Sequence, residues 1–315
     1  MDVILACPES FFALPKLPTG RNGSSWKSPF WSELNQMQEF LTFFLKLSIM
    51  VFLVTAMLHV GMSLTLRQIF DPLRNARLVI TSLGVSYLLV PVIAVVIVRM
   101  IPIEEPLKIG LVLLSMTAGS EAGPKVVGMA KGNIAFSVAL LSLQLIVTII
   151  YVPLLLSVLL PEVQFNHSKL LLKLFAVVLL PMAAGLFLKA RHRATAERMS
   201  PLVQSTSTVF MFLMAVLIVV LNFSEMLRLI GSGAILAAMI FVVTSFFAGF
   251  LLGGPGKDTR LTLGFMSGAR NASISLMIAS QVFEDPDVLL MITLTVILMM
   301  TILLPTAHWF GRQAA

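Results

Sequence analysis

The chain has 315 residues, of which 58% are hydrophobic and only 12% charged, against about half and about a quarter in an ordinary soluble domain. Its single cysteine, Cys7, excludes a disulfide framework, a cysteine-ligated zinc site and an iron–sulfur cluster. The formal net charge of +7 is scattered in short stretches between apolar runs rather than gathered into a basic domain, which argues against nucleic acid as a partner. The remaining reading is a multi-pass protein whose partner is the lipid bilayer of a cell membrane.

Residues 1–36 contain Pro8, Pro15, Pro18, Gly20, Gly23 and Pro29 and lack the basic start and long apolar run of a signal peptide, so they are read as an extramembrane N-terminal tail. From there to residue 311 extends a transmembrane domain, 37–311. Its apolar segments lie at about 38–64, 77–101, 106–131, 134–160, 169–189, 200–222, 229–253, 261–283 and 288–310. Each is near the roughly 20 residues that cross a hydrocarbon core. Backbone groups out of reach of water must bond within their own segment, so the expected fold is all-α with nine transmembrane helices. In the first segment Lys46 is placed to snorkel to an interface, and His59 is read as a packing residue with a hydrogen bond.

Orientation follows from the short loops. Arg67, Arg74 and Arg77; Lys125 and Lys131; Lys189, Arg191, Arg193 and Arg198; Lys257 and Arg260; and Arg312 all fall on one side of the alternation. The other side carries Glu104, Glu105, Glu162, Glu225, Glu284, Asp285 and Asp287, with Lys108, Lys169 and Arg228 as its main cations. The basic side is expected in the cytoplasm, which puts the N-terminus outside and the C-terminus inside.

Two segments are interrupted. The third runs Leu114-Ser115-Met116-Thr117-Ala118-Gly119-Ser120-Glu121-Ala122-Gly123-Pro124-Lys125, and no helix passes cleanly through Pro124, which lacks an N–H and clashes with the preceding turn. The eighth carries Ser267, Gly268, Arg270, Asn271, Ser273 and Ser275 at comparable depth. With halves taken as 38–160 and 169–310, each interruption falls in the next-to-last segment of its half, and the two segments run in opposite directions. The pattern is an inverted repeat whose first half lacks one helix, and broken helices in matching places point to a midplane binding site.

The stretches Gly-Met-Ser-Leu-Thr-Leu at 61–66, Ala130-Lys131-Gly132-Asn133-Ile134-Ala135-Phe136-Ser137-Val138, and Gly268-Ala269-Arg270-Asn271-Ala272-Ser273 resemble the bile acid:sodium symporter family over about residues 45–310. The resemblance implies an inverted-repeat transporter fold with two crossing broken helices in a core domain, a separate panel domain, and an organic anion carried by alternating access. It further implies two sodium ions beside the crossing, held by oxygen ligands, as a hard cation requires. Aligned without gaps from Gly132-Asn133, the family's serine–asparagine pair falls on Gly123 and Pro124, a threonine on Leu141, the shared glutamate on Met266, one glutamine on Arg270 and another on Ser86. Ser137 alone survives as a sodium ligand. A guanidinium cannot be deprotonated and repels sodium, which argues against sodium coupling and leaves a proton as the other candidate ion.

The candidate substrate and coupling residues are therefore Glu121, Arg270, Asn271, Ser120, Ser137, Ser267 and Thr117. Glu121 and Arg270 are expected to form a midplane ion pair, with Arg270 standing in for one sodium charge and selecting a carboxylate or sulfonate, and Glu121 balancing it or carrying a proton. Hydroxyls around the breaks either cap freed backbone groups or line the path. An enzyme is not expected, since no His-Glu-x-x-His, Gly-x-Ser-x-Gly or paired catalytic carboxylates occur, and no phosphate-binding loop or cofactor motif is present. The competing readings are a proton-coupled or uncoupled facilitator of small carboxylates and a non-transporting membrane sensor.

Overall fold

The computed structural model describes residues 29–63, 76–159, 172, 175–221, 227–283 and 285–313, and every regular element among them is helical. In chain order these are α1 (Pro29–Ser63), α2 (Ala76–Met100, with a π-helical turn at Val85–Leu89), α3 (Glu105–Met116), α4 (Gly123–Met129) and α5 (Ile134–Leu159). There follow α6 (Leu180–Arg191, entered through a π-helical turn at Phe175–Leu179), α7 (Arg193–Leu221), α8 (Ala234–Leu252), α9 (Lys257–Gly268), α10 (Ala272–Val282) and α11 (Pro286–Gln313). Helix formation starts at Pro29, inside the stretch expected as tail. Proline suits a first helical position because its missing N–H has no partner there in any case.

Among the described residues six helices are long and apolar enough to cross a membrane: Phe40–Ser63 of α1, α2, Ile134–Val152 of α5, Arg193–Ile218 of α7, α8 and α11. The third and eighth apolar segments are instead each split into two short helices, α3 with α4 and α9 with α10. The opening of the fifth segment, with Lys169, and the loop charges Arg67, Arg74, Glu162, Glu225 and Glu284 lie outside the described residues.

The helices sort into two packed groups. α1, α6 and α7 lie against one another, α8 against α9 and α11, and α3 against α11; the first group meets the second chiefly where α1 touches α10 and α7 touches α11. The α1–α6 contact is backbone on backbone. A Cβ on Gly61 would sit 2.0 Å from the Met182 carbonyl oxygen, and one on Gly185 2.4 Å from that of Leu58. Small residues are what allow membrane helices to come so close, because packing supplies their cohesion when lipid is as apolar as the side chains.

The charged loops sort by end. At one end Arg228 donates to Asp287 at 2.5 Å and lies 3.7 Å from Glu104, while Lys108 pairs with Glu105 at 2.6 Å. At the other, Lys189 Nζ donates to the Ser63 carbonyl (3.0 Å), the Asn133 N–H to Thr262 Oγ1 (2.8 Å), and Ser200 Oγ bonds His59 Nδ1 (3.1 Å). His59 thus fastens α1 to α7.

Candidate functional site at the helix crossing

The two interruptions meet. Between α3 and α4 the chain leaves the helix at Thr117 (φ −93°, ψ 90°) and turns at Gly119, whose φ of +86° is strained for any residue with a Cβ. Between α9 and α10 it is extended at Ala269 (φ −86°, ψ 114°) and Asn271 (φ −81°, ψ 97°). Extended backbone buried at this depth needs partners, and each break supplies those of the other. The Asn271 N–H donates to the Thr117 carbonyl (2.9 Å) and Asn271 Nδ2 to the Gly119 carbonyl (2.7 Å). Asn271 Oδ1 accepts the Ile274 N–H (3.0 Å), so one side chain both caps α10 and clamps the other break. Thr117 Oγ1 bonds the Asn271 carbonyl (3.2 Å) and the Ser275 hydroxyl.

Most hydroxyls here serve backbone groups. Ser115 donates to the Val112 carbonyl (2.6 Å), Ser275 to that of Asn271 (2.8 Å) and Ser137 to that of Ile134 (2.7 Å). Ser120 is buried beside Glu121, and Ser267 Oγ is buried without a hydrogen-bond partner among the described residues, facing Gly249 of α8. Thr117 and Asn271 thus join the two breaks by hydrogen bonds.

The expected ion pair between Glu121 and Arg270 does not form. The two side chains leave the crossing on different sides. Glu121 accepts from Ser273 Oγ (3.1 Å), is only partly buried, and lies within electrostatic reach of the exposed Lys125 one turn on. Arg270 is 0% exposed and turns toward α2, where Nη2 donates to the Ser86 carbonyl in the π-helical turn (3.1 Å). Its backbone N–H points at Met299 Sδ (3.1 Å), and Nε and Nη1 have no partner among the described residues.

Around Arg270 lies a polar niche that sequence reasoning missed. Gln144 Nε2 donates to Ser86 Oγ (2.8 Å), Tyr87 OH shares a hydrogen bond with Thr148 Oγ1 (2.8 Å) and bonds the Gln144 carbonyl, and Tyr151 OH bonds the Tyr87 carbonyl. Thr148 Oγ1 in turn donates to the Ala118 carbonyl at the first break (3.1 Å). These are the only two tyrosines of the chain, their rings 4.8 Å apart and nearly edge to face. Their rarity, and a glutamine in the middle of an apolar span, were the available signals. Lys125, read only as a loop charge, is the other omission: it lies within electrostatic reach of both Glu121 and His59.

Of the positions that the resemblance aligns with sodium ligands, Ser86 and Ser137 carry a side-chain oxygen, and Gly123, Pro124, Leu141, Met266 and Arg270 carry none. Gly123 and Met266, which the resemblance aligns with ligand positions, pack on each other, the Met266 thioether sulfur 2.6 Å from where a Gly123 Cβ would stand. Leu141 is buried and carries no oxygen. Soft sulfur and hydrocarbon offer a hard cation nothing. At the other aligned place, Ser86 and Arg270 meet directly, and the guanidinium brings its own positive charge.

Residues 50–229 match the profile of the Sodium Bile acid symporter family. Among curated relatives, the probable sodium/metabolite cotransporter BASS2, chloroplastic, of Oryza sativa subsp. japonica is 26% identical over 236 residues, covering 73% of this chain and 56% of the relative. The probable sodium/metabolite cotransporter BASS1, chloroplastic, of Arabidopsis thaliana is 25% identical over 238 residues, covering 74% and 59%. The chain spans a little over half the length of these relatives. An all-helical membrane protein with two broken helices clamped at their breaks, matched over more than half its residues, belongs to the sodium bile acid symporter family.

Proposed function

We propose that this protein is a secondary transporter of an organic anion that works by alternating access and does not use sodium. In this reading the chain makes nine crossings in an inverted repeat, with α1, α6 and α7 as the panel and the remaining helices as the core, N-terminus outside and C-terminus cytoplasmic in a cell membrane. The relatives' names as sodium/metabolite cotransporters support a small metabolite as cargo. The sorting of acidic and basic loops to opposite ends supports the topology.

The observation that carries the mechanism is the placement of Glu121. It is a carboxylate at the meeting of two broken helices, held by Ser273 of the opposing break and reachable from the side that Lys125 occupies. A carboxylate at membrane depth is costly and functional by default. With Met266 filling one cation position and Arg270 supplying a fixed charge at the other, Glu121 is the group left to change charge during a cycle, and a proton is the coupling ion. Lys125 offers the cargo anion its first cation. The panel touches the core at α10, whose first turn holds Ser273, so protonation of Glu121 alters the bond between a break and the helix the panel leans on.

Uptake into proteoliposomes separates the alternatives. A pH step without sodium is expected to drive accumulation of a monocarboxylate, and Glu121→Gln to leave only downhill exchange. Full sodium dependence unaffected by Glu121→Gln would overturn the proposal, and saturable uptake indifferent to both ions would establish an uncoupled facilitator in its place.

A further inference from the structure

The niche behind the crossing contains an imbalance that the transport reading leaves unsatisfied. Arg270 is completely buried, yet it has one hydrogen bond from its guanidinium, Nη2 to the Ser86 carbonyl at 3.1 Å, and none from Nε or Nη1. No carboxylate among the described residues pairs with it. Glu121 is committed to Ser273, and the other described acidic residues lie at the helix ends or in loops. Arginine cannot shed its proton at any physiological pH, and an unpaired charge in a low-dielectric interior is among the most unfavourable things a fold can contain. One carbonyl dipole does not neutralise a full charge.

The surrounding groups supply what a small anion requires. Ser86 is the hinge: its carbonyl holds Arg270 and its hydroxyl meets the Gln144 amide at 2.8 Å, so guanidinium and amide converge on one residue. Gln144 Oε1 is buried and has no hydrogen-bond partner among the described residues. The two ends of an amide are assigned from hydrogen bonding alone. Rotated by half a turn, the amide accepts from the Ser86 hydroxyl and presents an N–H donor where the orphaned oxygen now lies. That leaves Nε, Nη1 and an amide N–H as buried donors without a partner among the described residues, on two side chains that both meet Ser86. Tyr87 and Tyr151 stand within electrostatic reach of Arg270, and their hydroxyls are spent on the Gln144 and Tyr87 carbonyls, so they act as walls.

We infer that a halide-sized monovalent anion is resident in this niche, bound by Nε and Nη1 of Arg270 and by the Gln144 amide, as the standing partner of the buried charge. Its size is bounded by burial: Arg270, Ser86, Gln144 and Thr148 are all fully buried, which puts these donors out of an organic cargo's reach from solvent. The inference rests on the burial of Arg270 and holds whether or not the protein transports.

The test is thermal unfolding of the purified full chain in detergent, titrated with sodium chloride or bromide against sodium gluconate at constant ionic strength. A saturable rise in melting temperature with both halides and none with gluconate is expected, with the half-saturating concentration raised tenfold or more in Gln144→Leu and the response lost in Arg270→Met. Should Arg270→Met fail to fold, crystals of the wild type grown in bromide decide, through an anomalous peak against the guanidinium. Identical melting in halide and gluconate, or a short monocarboxylate that competes with chloride for the same stabilisation, would overturn the assignment, the second by showing that the niche takes the organic anion itself.

Discussion

Replacing Asn271 by alanine tests whether the two breaks hold each other, and the structure sets the size of the effect. The side chain makes two bonds: Oδ1 accepts the Ile274 N–H at 3.0 Å as the cap of α10, and Nδ2 donates to the Gly119 carbonyl at 2.7 Å across the crossing. Loss of an asparagine cap costs about 1 kcal/mol. Loss of the second bond strands a buried carbonyl in a left-handed turn, at about 1–3 kcal/mol. Hydrogen bonds between membrane helices average nearer 0.6 kcal/mol, which sets the lower bound of that second contribution, so Asn271→Ala is expected to destabilise by about 1.6–4 kcal/mol. Asn271→Ser retains an acceptor for the cap and gives up only the cross-bond, so it falls between. Reversible unfolding in mixed micelles of denaturing and mild detergent measures both. A loss below about 0.5 kcal/mol for the alanine variant, or a serine variant as unstable as the alanine one, would show that the breaks are held by something other than this side chain.

Three further substitutions address other parts of the account. Gly185→Ala puts a methyl group 2.4 Å from the Leu58 carbonyl oxygen and forces α6 away from α1; overpacking of this kind costs about 1–3 kcal/mol, read in the same unfolding assay, and an unchanged stability would mean the two helices do not approach as described. Lys131, the only described non-glycine residue with positive φ (57°), sits where glycine is at ease; Lys131→Gly is expected to raise stability by about 1 kcal/mol, and a loss would point to a side-chain role. The double variant Met266→Glu with Arg270→Gln restores oxygen at both aligned cation positions and is expected to acquire sodium-dependent stabilisation in a melting assay, which the parent lacks; no response to sodium would show that more than these two residues bars the ion.

Much of this was legible in the residues because membrane burial leaves few alternatives. Pro124 and the glycines around it could not continue a helix, and Gly268 to Ser275 placed polar atoms where lipid tolerates none, so both interruptions were readable before any coordinates. The fastening of one break to the other was not, since it depends on Asn271 reaching a carbonyl 152 positions away. The Glu121–Arg270 ion pair failed for a related reason. Two opposite charges at matched depth are attractive on paper, but the direction in which each side chain leaves its break decides its partner, and for Arg270 that direction is the carbonyl of Ser86 in a π-helical turn that hydropathy does not signal. Tyr87, Gln144, Thr148 and Tyr151 were hidden by lying singly in apolar runs, where each looks like an isolated polar residue. Only folding α2 against α5 makes them one cluster.

The central claim is that a fixed guanidinium and a thioether occupy the places where a sodium-driven relative would hold its ions. The most direct measurement is the melting temperature of the purified protein titrated from zero to several hundred millimolar sodium against potassium, with the anion held constant. A ligand that binds the folded state alone stabilises by RT ln(1 + [L]/Kd), about 2.7 kcal/mol at a hundredfold excess over Kd. The account predicts the same melting temperature in both salts at every concentration; a saturable rise with sodium and not with potassium would contradict it.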